Sequence, residues 1–139
     1  MICPACKNDM IVVEHNKIEL DYCTSCQGVW FDSGELELFL NSMGLDSRSV
    51  FWRNILNYQE VPSTERKRKC PICGRKMKKT IIDKQPEILI DVCQRGDGLW
   101  FDSGEVISLI KQIANKTPAK EDAQQQILGF LGEVFKAQE

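Results

Sequence analysis

The sequence predicts an α+β protein built from two tandem copies of one unit, a β-hairpin followed by helices. Three observations predict it. Cys-Pro-Ala-Cys at 3–6 returns as Cys-Pro-Ile-Cys at 70–73, and Gly-Val-Trp-Phe-Asp-Ser-Gly-Glu at 28–35 returns as Gly-Leu-Trp-Phe-Asp-Ser-Gly-Glu at 98–105. Between these landmarks each copy alternates apolar and polar residues, and after them each carries an apolar pattern of helical period. The offset between copies grows from 67 at the first motif to 70 at the second, so three residues are added where a longer hairpin absorbs them. The copies are bounded at 1–59 and 70–139, with a basic linker at 60–69.

The elements follow in order. Strands are predicted at Met10 to Glu14 and Ile18 to Tyr22, where Ile18, Leu20 and Tyr22 alternate with Glu19 and Asp21. In the second copy they are predicted at Met77 to Asp83 and Ile88 to Val92, with Ile88, Ile90 and Val92 on one face and Pro86 in the turn. Asp32 and Asp102 each precede a Glu by three residues, a capping-box pattern that predicts helices over Ser33–Met43 and Ser103–Lys116, the first ended by Gly44. A further helix is expected over Ser47–Gln59. Another is expected from about Pro118, with Thr117 as its cap and Ile127, Leu128, Leu131, Val134 and Phe135 on one face.

Composition sets the class. With 139 residues, 42% hydrophobic and 27% charged, the chain is of ordinary globular make-up, with no apolar run long enough to span a membrane. A unit of 60–70 residues buries too little surface to be stable without a further staple. The seven cysteines supply one. No secretory leader precedes Cys3, so a cytoplasmic location is expected, where thiols stay reduced and paired cysteines read as metal ligands rather than disulfides. Net charge is −2, but residues 66–84 hold nine Lys or Arg against the single Asp83, leaving the rest of the chain acidic.

Cys3, Cys6, Cys23 and Cys26 form two Cys-X-X-Cys pairs 16 residues apart, the spacing of a closed four-cysteine zinc site. Zinc adds on the order of 10 kcal/mol of folding free energy to such a module. In the second copy Cys70, Cys73 and Cys93 are in place, but Gly96 stands where Cys26 stands in the first. Asp97, one residue on, is the candidate fourth ligand, so two Zn2+ are expected; the alternative is an empty, degenerate second site.

The two cysteine pairs together with the following Gly-X-Trp-Phe-Asp-X-Gly-Glu resemble the prokaryotic transcription-factor zinc-finger family, whose ribbon is similar to that of general transcription factor IIB. The resemblance covers residues 3 to about 40 and 70 to about 110. It implies two zinc ribbons and a link to nucleic acid or transcription.

Several residues admit a second role. Trp30, Phe31, Trp100 and Phe101 have the chemistry to stack on bases, yet their place between a knuckle and a helix favours core packing; the same holds for Trp52. Arg66, Lys67, Arg68, Lys69, Arg75, Lys76, Lys78 and Lys79 form the candidate phosphate-binding surface, or else balance the anionic zinc sites. His15, the lone histidine, reads as a solvated residue of the first hairpin turn, which leaves catalytic zinc poorly supported.

The expectation is a non-enzymatic zinc protein without a small-molecule substrate, acting as a transcription-related or nucleic-acid-binding adaptor. The alternative is a protein-interaction or oligomerisation module, with the C-terminal helix joining copies of the chain. A redox or iron role fits less well, because dithiol enzymes place Cys-X-X-Cys at a helix start.

Overall fold

The computed structural model describes residues 1–15, 17–42, 44–45, 55, 57–63, 66–84 and 87–116. The strands are β1 (Ile11–His15), β2 (Ile18–Tyr22), β3 (Val29–Asp32), β4 (Lys78–Lys84), β5 (Glu87–Val92) and β6 (Gly98–Phe101). The helices are α1 (Glu35–Ser42) and α2 (Glu105–Lys116). All six strands join one sheet of order β1-β2-β3-β6-β5-β4, antiparallel at every seam.

Both predicted hairpins are present, and their difference in length has a simple structural basis. The first pairs from Val12↔Asp21 to His15↔Ile18, whereas the second pairs from Lys79↔Asp91 to Lys84↔Glu87 and carries a bulge between Ile81 and Asp83. One extra cross-strand pair and one bulged residue account for the three added residues. His15 pairs with Ile18 at the end of β1 and so lies in the strand rather than the turn.

The Gly-X-Trp-Phe motif, expected as packing between a knuckle and a helix, forms β3 and β6. These two strands pair with each other and join the copies: Val29↔Phe101, Trp30↔Trp100, Phe31↔Leu99 and Asp32↔Gly98. Trp30 faces its own counterpart, so a pseudo-two-fold axis passes between the two tryptophans. Alternation sends Val29, Phe31, Leu99 and Phe101 to one face and both tryptophans to the other.

On the first face lie α1 and α2. Leu36, Phe39 and Leu40 of α1 and Val106, Leu109, Ile110 and Ile113 of α2 are buried in one core with Leu20, Tyr22, Phe31, Ile88, Ile90, Val92 and Phe101. Phe31 stands edge-on to Phe101 with ring centres 5.5 Å apart. Fully burying such a side chain contributes about 1.5–3 kcal/mol.

The helices start later than the capping-box pattern predicts. Their first α-type bonds run from Leu38 N–H to the Gly34 carbonyl and from Ser108 N–H to the Gly104 carbonyl, which places glycines, at φ 82° and 83°, in the cap position. Asp32 and Asp102 instead accept from the indole N–H of Trp30 and Trp100, each at 3.0 Å. The close of α1 is as expected. Gly44 has φ 73°, its N–H donates to Asn41, and the Leu45 N–H donates to Leu40, a Schellman ending that buries Leu45.

Of the helix expected over 47–59, only Ile55 and residues 57–59 are described; Ile55 is helical and buried. Trp52, Pro86, Thr117 and the C-terminal segment with its apolar stripe lie outside the described residues. Among the described residues, no helix is long and apolar enough to cross a membrane.

Candidate metal centres

Each ribbon begins with two turns that bring sulfurs to one point. In the first copy the Cys3 N–H donates to the Asn8 carbonyl at 2.8 Å and the Lys7 N–H donates back to Cys3 at 3.0 Å, closing a knuckle in which Lys7 takes φ 68°. The Ala5 and Cys6 amides point at the Cys3 Sγ, at 3.3 and 3.4 Å. A second knuckle repeats the design: Cys23 N–H to the Gly28 carbonyl, Gln27 N–H to the Cys23 carbonyl, and Gln27 at φ 68°. Asn8, which no sequence motif singles out, donates its side-chain amide to Cys6 Sγ at 3.3 Å.

The Sγ atoms of Cys3, Cys6, Cys23 and Cys26 all lie within 4.8 Å of one another, with Cys3 to Cys26 at 3.6 Å and Cys6 to Cys23 at 3.4 Å. These are far longer than a disulfide bond, and all seven cysteines are free. Tetrahedral Zn–S bonds of about 2.3 Å put sulfurs about 3.8 Å apart. The first cluster fits zinc.

The second cluster, Cys70, Cys73, Cys93 and Asp97, has the same compactness, and its fourth knuckle shows how an aspartate replaces a cysteine. Gly96 occupies the Cys26 position with φ 87°, so the left-handed residue comes one place earlier than Gln27 does in the first copy. The closing bond shortens accordingly, from Gln27→Cys23 to Gly96→Cys93. That shift swings Asp97 inward. Its Oδ2 lies 3.5 Å from Cys70 Sγ and 3.4 Å from Cys93 Sγ, while Cys73 and Cys93 are 3.7 Å apart. Zinc bonds of about 2.3 Å to sulfur and 2.0 Å to oxygen give S···O separations of about 3.5 Å. The second cluster therefore fits zinc too.

Electrostatics agree with the geometry. Burial pushes the Cys3, Cys26, Cys70 and Cys93 thiols up, Cys70 to about 12, whereas the Asn8 backbone amide pulls Cys6 down to about 6. Desolvation acts to raise the Asp97 carboxyl, but hydrogen bonds from the Cys73, Cys93 and Cys70 thiols outweigh it and hold the carboxyl below its ordinary value. Zinc binds thiolates, so loading these sites with metal displaces the protons that burial holds on Cys3, Cys26, Cys70 and Cys93.

Between the two clusters sit Trp30 and Trp100, both fully buried, in one apolar group with Met10, Met77 and the cysteines. Their role is packing, as the sequence favoured. Gly28 and Gly98 have room for nothing larger, because a Cβ at either would come within 2.5 Å of the opposite copy's indole, and at Gly98 also within 2.3 Å of the Phe31 carbonyl.

The basic residues separate into two groups. Arg66, Lys69, Arg75 and Lys76 are exposed, with Lys69 and Lys76 bridged across the first knuckle of the second copy. Arg95, not anticipated from the sequence, joins Arg75, Lys76, Cys93 and Gln94 around a depression beside the second cluster. Others are engaged: Lys67 with Glu60 at 2.6 Å, Arg68 with Asp102 at 3.8 Å, and Lys78 with the Tyr58 carbonyl at 2.8 Å. Lys79 is a correction to the expected phosphate surface. It is buried, and its ammonium pairs with the buried Asp91 at 2.8 Å, so it faces no solvent-borne anion.

A model of the transcription factor zinc-finger family matches the chain twice, at residues 2–42 and 69–112. No curated protein and no solved structure matches it.

Proposed function

The chain belongs to the transcription factor zinc-finger family, and from that premise we propose that it is a non-catalytic adaptor whose two zinc-held ribbons present one basic end to the phosphate backbone of a nucleic acid. Cys3, Cys6, Cys23 and Cys26 hold one Zn2+, and Cys70, Cys73, Cys93 and Asp97 the other. When bound, the metal cross-links the knuckles and so stabilises a fold whose halves are individually small.

One observation carries the reading. The exposed cations Lys69, Arg75, Lys76 and Arg95 gather around the knuckles of the second copy, whereas the equivalent places in the first hold Ile2, Asn8, Asp9 and Ser25. A general counter-charge role would call for cations at both clusters, since each metal site carries the same formal charge. Among the described residues the knuckles of the first copy carry Lys7, whose Nζ donates to the Pro4 carbonyl at 3.4 Å, against four exposed cations at the second; such an excess at one end suits an external polyanion, which it attracts without regard to sequence.

Arg66 is exposed and precedes Lys69 by three residues. Lys79, being buried, takes no part, and Lys67, Arg68 and Lys78 are secondary. The test is binding of a labelled single-stranded or duplex oligonucleotide across a salt series. Affinity is expected to fall steeply as salt rises, with a slope of about 0.9 per duplex phosphate neutralised. The Arg75→Glu/Lys76→Glu variant, still loaded with zinc, is expected to bind weakly and with a shallower slope. No binding at low ionic strength, or an unchanged slope in the variant, would sink the proposal.

A further inference from the structure

Residues from both knuckles of the second copy border one depression of about 270 Å³, lined by Arg75, Lys76, Cys93, Gln94 and Arg95. One wall follows the first knuckle: the Cys70 N–H donates to the Arg75 carbonyl at 2.8 Å, and Lys76 bridges back to Lys69. The other wall is the second knuckle, closed by the Cys93 N–H to the Gly98 carbonyl at 3.1 Å and the Gly96 N–H to the Cys93 carbonyl at 3.0 Å. Both walls are tied to the cluster of Cys70, Cys73, Cys93 and Asp97. The backbone beneath the polar side chains is thus held in place before any ligand arrives.

Arg75, Lys76, Gln94 and Arg95 are all exposed. The symmetric places in the first copy hold Asn8, Asp9, Thr24 and Ser25, so two Arg and one Lys stand where the first copy has a single Asp. The arrangement is convergent rather than linear. A protein that tracks a strand spreads its cations along a groove and stacks bases on aromatic side chains. Here no aromatic residue is among those that line the depression. Along the same basic stretch Lys67, Arg68, Lys78 and Lys79 are engaged by Glu60, Asp102, the Tyr58 carbonyl and Asp91. These internal contacts interrupt a cationic track and leave the charge gathered at one point.

Three cations around one depression exceed what an internal phosphodiester, with its single negative charge, can neutralise. A phosphate monoester carries about −1.5 to −2 at pH 7 and offers three terminal oxygens. Two forked guanidiniums and an ammonium match that group in charge and in donor number. The volume lies just under the roughly 300–1,000 Å³ of sites that enclose drug-sized ligands, and suits a phosphate with the sugar that bears it.

We propose that this depression receives the terminal phosphate monoester of a nucleic-acid strand, held by Arg75, Lys76 and Arg95 with Gln94 as a further donor. The inference rests on the reading of this end as a nucleic-acid surface, and narrows it from the backbone in general to the end of a strand.

The experiment measures fluorescence anisotropy of one internally labelled, short single-stranded oligonucleotide in three forms, with a 5′-phosphate, a 3′-phosphate or hydroxyls at both ends. The full, zinc-loaded chain is titrated at fixed ionic strength. At least one phosphorylated form is expected to bind about ten-fold tighter than the hydroxyl form, the scale of a charge-assisted hydrogen bond. Which form gains identifies the end recognised. Arg75→Gln and Arg95→Gln, with zinc content unchanged, should bring the three forms together, whereas Arg66→Gln, outside the depression, should weaken all three alike. Equal binding of the three forms by the unmodified chain would overturn the proposal and leave the backbone reading standing. No binding of any form at low ionic strength would remove both. A preference that survives Arg75→Gln and Arg95→Gln would place the terminal phosphate elsewhere and overturn the proposal. Inorganic phosphate that competes at the concentration of the oligonucleotide itself would overturn it in favour of a free anion.

Discussion

Gly28 lies under the indole of Trp100. A Cβ at Gly28 would lie 2.2 and 2.3 Å from two carbons of that ring and 3.1 Å from the Phe101 carbonyl, and one at Gly98 would lie 2.3 Å from the Phe31 carbonyl and 2.5 Å from the Trp30 indole. The glycine of the repeated motif in one copy thus exists to admit the tryptophan of the other. Gly28→Ala forces a fully buried indole or the β3–β6 seam to move, which should cost about 2–3 kcal/mol. Gly34→Ala meets nothing within 4 Å and carries only the penalty of φ 82°, about 1 kcal/mol. Denaturant unfolding of both variants checks the contrast. Equal losses would mean that the indoles yield freely.

The buried pair Lys79–Asp91 makes a second prediction. Asp91 is raised to about 6 by burial, which the Lys79 hydrogen bond and charge only partly offset. Lys79→Ala leaves that carboxylate in the sheet without its cation and should destabilise the chain by about 3 kcal/mol. Lys79→Met with Asp91→Leu removes both charges and should be close to neutral, because ion pairs in such places repay little more than their desolvation. The first copy has Val12 at the place of Lys79, so the pair is a product of divergence rather than a requirement of the fold. A double mutant as unstable as the single one would show that the pair fixes the β4–β5 register.

Asp32 and Asp102 each hold the indole N–H of a fully buried tryptophan. Asp32→Asn keeps an acceptor and should be nearly silent, whereas Asp32→Leu strands the indole donor and should cost about 1–2 kcal/mol. Thermal unfolding with a constant zinc content reads the difference. If the leucine variant is as stable as the asparagine one, water reaches the indole and the hydrogen bond is dispensable.

The hairpins, the added residues, the two donor sets and the end of α1 were all legible in the sequence, because each depends on local chemistry: alternation, cysteine spacing and Gly44. What stayed hidden is what depends on the other copy. Val29–Asp32 is too short to announce itself as a strand, and its pairing with β6 is fixed by burying two tryptophans together. Asp32 and Glu35 looked like a capping box because their spacing fits one. The competing partner, an indole two residues back, is visible only once Trp30 is placed. Lys79 read as one cation among many, since nothing in its neighbours along the chain shows that Asp91 faces it across the strands.

The second metal centre invites the sharpest test, because its two unusual residues act as a unit. Asp97 reaches the cluster only because Gly96 takes a left-handed backbone that a side chain resists. Asp97→Ala should therefore reduce zinc from two atoms per chain to one, measured by elemental mass spectrometry on protein purified without added metal. Gly96→Cys alone should not simply regenerate the first copy's site, for the new cysteine would inherit φ 87° and leave Asp97 competing for the same place. Gly96→Cys with Asp97→Gln reproduces the Cys26-Gln27 arrangement and moves the left-handed residue one position on, as in the first copy. That double variant should again hold two metals. With cobalt in place of zinc, its thiolate-to-metal absorption should exceed that of the unmodified chain. One metal in the unmodified chain would mean that the carboxylate does not complete the site, whatever its distance from the sulfurs.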